Sequence, residues 1–206
     1  IDDGAPDGTG DLADGLAATN PKVHVHHRSG KLGLGTAYAF GFRWALDRGF
    51  DYVFEMDSDF SHDPADLPRL LAAARDGGDV DIGSRYVTGG GTSDWSAMRQ
   101  AISRGGGLYT RLVLGIAVRD PTAGFKCFRR SALESLLAED LRAEGFSFQI
   151  EVNFLAHRKG LRIVEVPITF ENRTVGKSKL GAREFGRFLA TLARLRLSAG
   201  PPRVPA

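Results

Sequence analysis

Residues 51–64, Asp-Tyr-Val-Phe-Glu-Met-Asp-Ser-Asp-Phe-Ser-His-Asp-Pro, constrain the chain more than any other stretch. Tyr52, Val53, Phe54 and Met56 have the composition of a central, two-sided strand. Pro64 cannot continue a sheet and suits the first turn of a helix. Asp57 and Asp59 therefore fall where a buried strand gives way to a loop, the place where open α/β sheets bind ligands. Two hard oxygen donors there suit Mg²⁺ or Mn²⁺ shared with substrate phosphates. An Asp-rich turn with a helix cap explains Asp63 before Pro64. It does not require both Asp57 and Asp59.

Apolar strand-like runs alternate with helical ones along the 206 residues, which predicts an α/β fold. Strands are expected at 23–27, up to 57, at 79–84, at 125–128 and at 161–170, where Pro167 suggests an edge or a bulge. Helices are expected at 33–48, 64–75, 96–115, 131–138, 149–159 and 182–197. No linker divides the chain, so residues 1–198 read as one domain and 199–206 as a disordered tail. The first residue, Ile1, reads as the end of a strand whose beginning is missing.

A net charge of +2 does not mark a nucleic-acid binder. The single cysteine, Cys127, excludes an intramolecular disulfide and is most simply a core residue. No apolar window of 18 residues exists and no signal peptide precedes the chain, which points to the cytoplasm. The closing helix puts Phe185, Phe188, Leu189, Leu192 and Leu195 on one side and Arg183, Arg187 and Arg194 on others. That pattern suits either an ordinary docked helix or one lying on an anionic membrane surface.

Asp2 and Asp3 stand at a second acidic strand end and can accept hydrogen bonds from a base N–H or a ribose hydroxyl. Gly33-Leu-Gly35 invites a dinucleotide-binding reading, but residues 28–32 separate it from the preceding strand and Tyr38 replaces the third glycine. The glycines instead allow a turn close to a ligand, with Lys31 near its phosphates. His24, His26 and His27 lack an acid or cysteine at ligand spacing and read as a solvated edge. His62 is close enough to Asp59 to line the site. Arg85 follows a strand end on the same sheet edge as the acids, Arg99 begins the long helix, and Arg173 to Lys179 form a basic, hydroxyl-rich loop. Together they supply the cations that a diphosphate and a second anion require.

Seven segments in this order resemble glycosyltransferase family 2, and within it the polyprenol-phosphate (dolichol-phosphate) mannosyltransferases. They are residues 2–9, 33–38, 56–59 (Met-Asp-Ser-Asp), 83–86 (Gly-Ser-Arg-Tyr), 120–126 (Asp-Pro-Thr-Ala-Gly-Phe-Lys), 148–151 (Phe-Gln-Ile-Glu) and 176–179 (Gly-Lys-Ser-Lys). The resemblance implies a GT-A fold: a mostly parallel mixed sheet flanked by helices, here without its N-terminal strand. It also implies a nucleotide-sugar donor, a divalent metal on Asp57 and Asp59, and a lipid-phosphate acceptor at the cytoplasmic membrane face. Ser61 stands where some relatives place a metal-reaching Gln.

On this reading mannose passes from GDP-mannose to a polyprenyl monophosphate with inversion. Asp57, Asp59, Arg85, Arg99 and Arg173 would be catalytic. Asp2, Asp3, Lys31, Gly33, Asp57 and Arg85 would hold the donor, and Arg99, Ser103, Arg173 and Lys179 the acceptor phosphate. The rivals are a lipid-phosphate hexosyltransferase using another donor such as UDP-glucose, a catalytically incompetent fragment, and an NAD-linked oxidoreductase.

Overall fold

The computed structural model of the chain describes residues 1–172 and 181–198. Its central sheet has the order β1 (Tyr52–Glu55), β4 (Lys126–Arg129), β2 (Val80–Ser84), β5 (Ile163–Pro167). β4 pairs antiparallel with both β1 and β2, while β2 and β5 are parallel. Three strands thus share one direction, and β4 runs against them in the middle. The carboxyl ends of β1 and β2 meet the start of β4 at one edge of the sheet.

Among the described residues seven α-helices accompany it: α1 (Thr9–Thr19), α2 (Leu34–Asp47), α3 (Leu67–Arg75), α4 (Ala97–Leu114), α5 (Arg130–Leu137), α6 (Ser147–Arg158) and α7 (Ala182–Ser198). On one face Leu70 and Ala74 of α3 pack with Phe125, Cys127 and Ile168. The larger core joins Val53, Val80, Ile82 and Phe128 of the sheet to Phe42 of α2, Leu133 of α5, Ile150 of α6 and Leu192 of α7. Burying a side chain such as Leu70 or Ile150 contributes about 1.5–3 kcal/mol.

The long helix α4 has a defined start and stop. The Ser96 side chain accepts from the Arg99 N–H, and Gly115 closes the helix at φ 69°, a left-handed conformation that glycine adopts without a Cβ penalty. Pro64 opens a short 3₁₀ turn, capped by the Asp63 carboxylate, before α3 begins at Leu67.

Two expected strands take different forms. Residues 23–27 make only an isolated parallel bridge, His27 to Asp2, because those are the residues within backbone reach of each other. The run 161–170 is split at Pro167. β5 stays at the edge of the main sheet, and β6 (Thr169–Phe170) leaves it to pair with β3 (Gly91–Thr92). A residue without an N–H is tolerated at such an exit and not inside a ladder.

Candidate active site

Asp57 and Asp59 lie just beyond the end of β1, both half-buried. The Tyr38 hydroxyl donates to Asp57 Oδ1 at 3.3 Å, and Asp59 Oδ1 accepts from the Ser61 N–H at 3.1 Å. Gly124 abuts the Asp57 carboxylate so closely that a Cβ there would stand 3.3 Å from Oδ2. A bare backbone at 124 keeps room beside that carboxylate. The Ser61 Oγ is buried with no partner among the described residues.

Asp57 and Asp59 are both half-buried oxygen donors, and among the described residues no group of three His, Cys, Asp or Glu surrounds them. That donor set fits a hard divalent cation, Mg²⁺ or Mn²⁺, which completes its shell with water and phosphate oxygens. It does not fit zinc closed by protein ligands. His62 is packed between Phe125 and Phe170, with ring centroids 5.1 Å away in each case. Burial pushes its imidazole below the ordinary histidine range, against the opposing pull of Asp57 and Asp59.

Arg85 stands at the expected edge but is buried. Its Nε and Nη2 bond Asp120 at 2.7 and 2.6 Å, Nη2 also reaches Thr122 at 2.9 Å, and its backbone N–H donates to Asp120 as well. The guanidinium that the sequence suggests for a diphosphate is thus largely committed to locking the end of β2 onto the 120–125 turn. Trp95 and Tyr86 connect it to the next cations. The Arg99 guanidinium lies 3.8 Å over the Trp95 ring and donates to Asn172 Oδ1 at 2.8 Å. The Tyr86 hydroxyl donates to Ser103 Oγ at 2.6 Å. Arg85, Arg99 and Ser103 are thus linked through Trp95 and Tyr86, and Asp57 is near enough to act on the Arg85 guanidinium.

The other acids form a neighbouring group. Asp3 takes a bidentate pair from Arg28, at 2.5 and 2.6 Å, and Arg28 continues to Thr36 and to the Gly33 carbonyl. Asp2 accepts from Ala5 N–H and meets His27 Nδ1 at 3.0 Å, while His27 Nε2 reaches Asp14. The hydrogen bond to His27 is the largest of the influences that hold the Asp2 carboxyl below its usual range. Gly33 precedes α2 at φ 98°, and Lys31 is exposed on the same loop. Because α2 also carries Tyr38, it joins this group to Asp57. Arg173 and Lys179 lie outside the described residues.

Sequence reasoning missed the charges beneath the site. Glu55 and Lys126 stand opposite each other in the β1–β4 register and are sealed from water. Lys126 Nζ donates to Glu55 Oε1 at 2.8 Å, to the Ala123 carbonyl at 2.7 Å and to Gln149 Oε1. Burial pushes the Glu55 carboxyl up, and Lys126 pulls against it. Charges of opposite sign inside two apolar strand runs were the available signal.

A family model described as "Glycosyl transferase family 2" matches residues 1–137. The undecaprenyl-phosphate mannosyltransferase of Micrococcus luteus is 47% identical over 199 residues, spanning 97% of this chain and 82% of that protein. The polyprenol monophosphomannose synthase of Mycolicibacterium smegmatis is 47% identical over 181 residues, spanning 87% of this chain and 68% of that protein. Among solved structures, glucosyl-3-phosphoglycerate synthase from Mycobacterium tuberculosis, in complex with Mn²⁺, uridine-diphosphate and glucosyl-3-phosphoglycerate, superposes with a TM-score of 0.64 at 22% identity. That match covers 98% of this chain and 68% of the other. The same enzyme with phosphoglyceric acid gives 0.61 at 21% identity, covering 98% and 68%. The α/β fold is that of the GT-A glycosyltransferases.

Proposed function

The chain belongs to glycosyl transferase family 2, and from that premise we propose that it transfers mannose from GDP-mannose to a polyprenyl monophosphate with inversion. The observation that carries the reading is the 47% identity to an undecaprenyl-phosphate mannosyltransferase over 97% of the chain. It is joined to a half-buried Asp57/Asp59 pair at the ligand-binding edge of the sheet.

The acceptor oxygen attacks the anomeric carbon while the nucleoside diphosphate leaves from the opposite face. A phosphate monoester is already anionic at neutral pH, so no residue has to remove a proton, and catalysis rests on position and charge. Asp57 and Asp59 would hold the divalent cation, which when bound supplies positive charge to the leaving diphosphate. Arg99, steadied by Trp95 and Asn172, faces the acceptor phosphate. Ser103 accepts from Tyr86 and so keeps its own O–H to donate to a phosphate oxygen. Arg173 and Lys179 belong to the same phosphate-binding set. Arg85 anchors the site through Asp120 in place of clamping the diphosphate itself. Asp2 and Asp3 orient base and ribose with the lone pairs that His27, Ala5 and Arg28 leave open, and the loop of Lys31 and Gly33 closes over the donor.

Lipid access comes from α4 and α7, which pack together. Met98, Ile102, Leu108 and Leu112 make an exposed apolar stripe along α4, and Phe185, Leu189 and Leu197 another along α7. Arg104, Arg111 and Arg196 lie on the same helices, whose one acid is Glu184. Apolar stripes among arginines suit an anionic bilayer surface. Among the described residues no helix is long and apolar enough to cross a membrane; the contact proposed for these two helices is peripheral, at the cytoplasmic face.

Thermal stability with GDP-mannose and with UDP-glucose, each with and without Mn²⁺, tests the donor, and radiolabelled transfer to polyprenyl phosphate tests the reaction. A metal-dependent shift with GDP-mannose and label in the lipid phase are expected. A shift with UDP-glucose alone would move the assignment to a glucosyltransferase. No shift with either nucleotide would overturn the proposed activity while leaving the fold unaffected.

A further inference from the structure

We infer that Lys126 is a positioning residue for the Asp57 carboxylate, acting from beneath through strand β1 and the 120–125 turn. The inference rests on Asp57 holding the divalent cation.

Three elements converge on one ammonium. Glu55 comes from β1 two residues before Asp57, Ala123 from the turn whose Gly124 abuts the Asp57 carboxylate, and Gln149 from α6. All three proton positions of Nζ are therefore used, each by an acceptor on a different segment. Lys126 is completely buried, as are the side chains of its partners to within a few per cent. A lysine is almost never placed this way unless it is paired. The pairing is geometrically enforced, because Glu55 and Lys126 are direct partners in the antiparallel register and their side chains leave the same face.

The cluster fixes the two walls of the carboxylate's pocket relative to each other. Glu55 sets the height at which β1 releases residues 56–59. The Ala123 carbonyl sets how near Gly124 comes to Asp57. Tyr38 holds the remaining side through Oδ1 at 3.3 Å. Lys126 touches neither the carboxylate nor any group expected to react, so its effect is on placement. Such supporting contacts typically change metal affinity by about 10–100-fold when removed.

Mn²⁺ affinity of the whole chain in the presence of GDP, read from the free-ion electron paramagnetic resonance signal, tests this alongside the melting temperature. Lys126→Met alone leaves Glu55 buried without its partner and is a poor folding risk. The paired change Glu55→Gln with Lys126→Met removes both charges together, and Gln149→Met removes one acceptor while leaving the ion pair. The paired variant is expected to fold and to bind Mn²⁺ at least about tenfold more weakly. Gln149→Met leaves one buried ammonium proton unpaired and is expected to lower the melting temperature modestly while weakening binding by a smaller factor. If either variant folds and keeps the parent's Mn²⁺ affinity, Lys126 is a structural residue only and the inference fails. If the paired variant does not fold, Gln149→Met alone decides. A parent chain that binds GDP but no Mn²⁺ would overturn the metal role of Asp57, and this inference with it.

Discussion

Arg85 and Asp120 form a bidentate ion pair, Nε to Oδ2 at 2.7 Å and Nη2 to Oδ1 at 2.6 Å, with Asp120 wholly excluded from solvent. The same carboxylate accepts the Arg85 backbone N–H, so one side chain fixes both the strand end and its guanidinium. Asp120→Asn strands a buried positive charge. It is expected to cost about 3–5 kcal/mol of stability, the typical loss when one partner of a buried pair is removed. Urea denaturation of variant and parent measures it; a loss under about 1 kcal/mol, the scale of an exposed pair, would mean that the guanidinium is better solvated than its burial indicates.

Asp57→Asn and Asp59→Asn replace half-exposed groups and should leave the fold intact. Each is expected to reduce mannosyl transfer by about a hundredfold, roughly 2.7 kcal/mol of transition-state stabilisation, and to abolish the Mn²⁺-dependent thermal shift. Full metal-dependent turnover in either variant would show that the cation is held elsewhere.

Asp81 predicts a pH dependence unrelated to catalysis. It is buried on β2 beside Cys127, neither carboxylate oxygen has a partner among the described residues, and burial pushes its pKa up to about 7. A carboxyl raised in the folded state binds its proton more tightly there than in the unfolded chain. Its unfavourable contribution is therefore absent below about pH 4, grows as pH rises, and is complete above about 7. Asp81→Asn should melt with the parent near pH 4 and clearly higher at pH 8. Parallel melting curves across that range would contradict the burial of an unpaired acid.

Leu108 and Leu112 stand on the outward side of α4, Leu112 with 74% of its surface exposed. Replacing both with Glu removes apolar area and adds repulsion from anionic lipid. The expected result is at least a tenfold loss of binding to phosphatidylglycerol vesicles in flotation, with GDP-mannose binding unchanged. Binding that survives the double change would assign membrane contact to another face.

Much of the fold was legible because the apolar periods were strong. The caps Ser96 and Gly115 bound α4 at the residues where the pattern starts and stops. Positions set by pairing between distant segments were less accessible. Lys126 sits in an apolar run, and only its register against Glu55, 71 residues away, makes it a buried ion pair. Arg85 read as a free cation for the same reason, since Asp120 is 35 residues further on. The stretch 23–27 has strand composition, but a ladder also needs a neighbour. Here the pairing reduces to the bridge between His27 and Asp2.

Helix α4 has two sides with different tasks. Buried Gly107, Thr110 and Leu114 face inward, and Arg99 and Ser103 lie at the border of that side, while Ile102, Leu108 and Leu112 point away from it. An α-helix with its side chains is about 10–12 Å across. A lipid surface resting on the outward stripe would thus be separated from Arg99 and Ser103 by the thickness of one helix. Under the proposed function the acceptor's head would have to rise by that distance while its prenyl tail stays behind. The helix would then act as a spacer that selects for a long, pliable acceptor and against a free phosphate ester in bulk water.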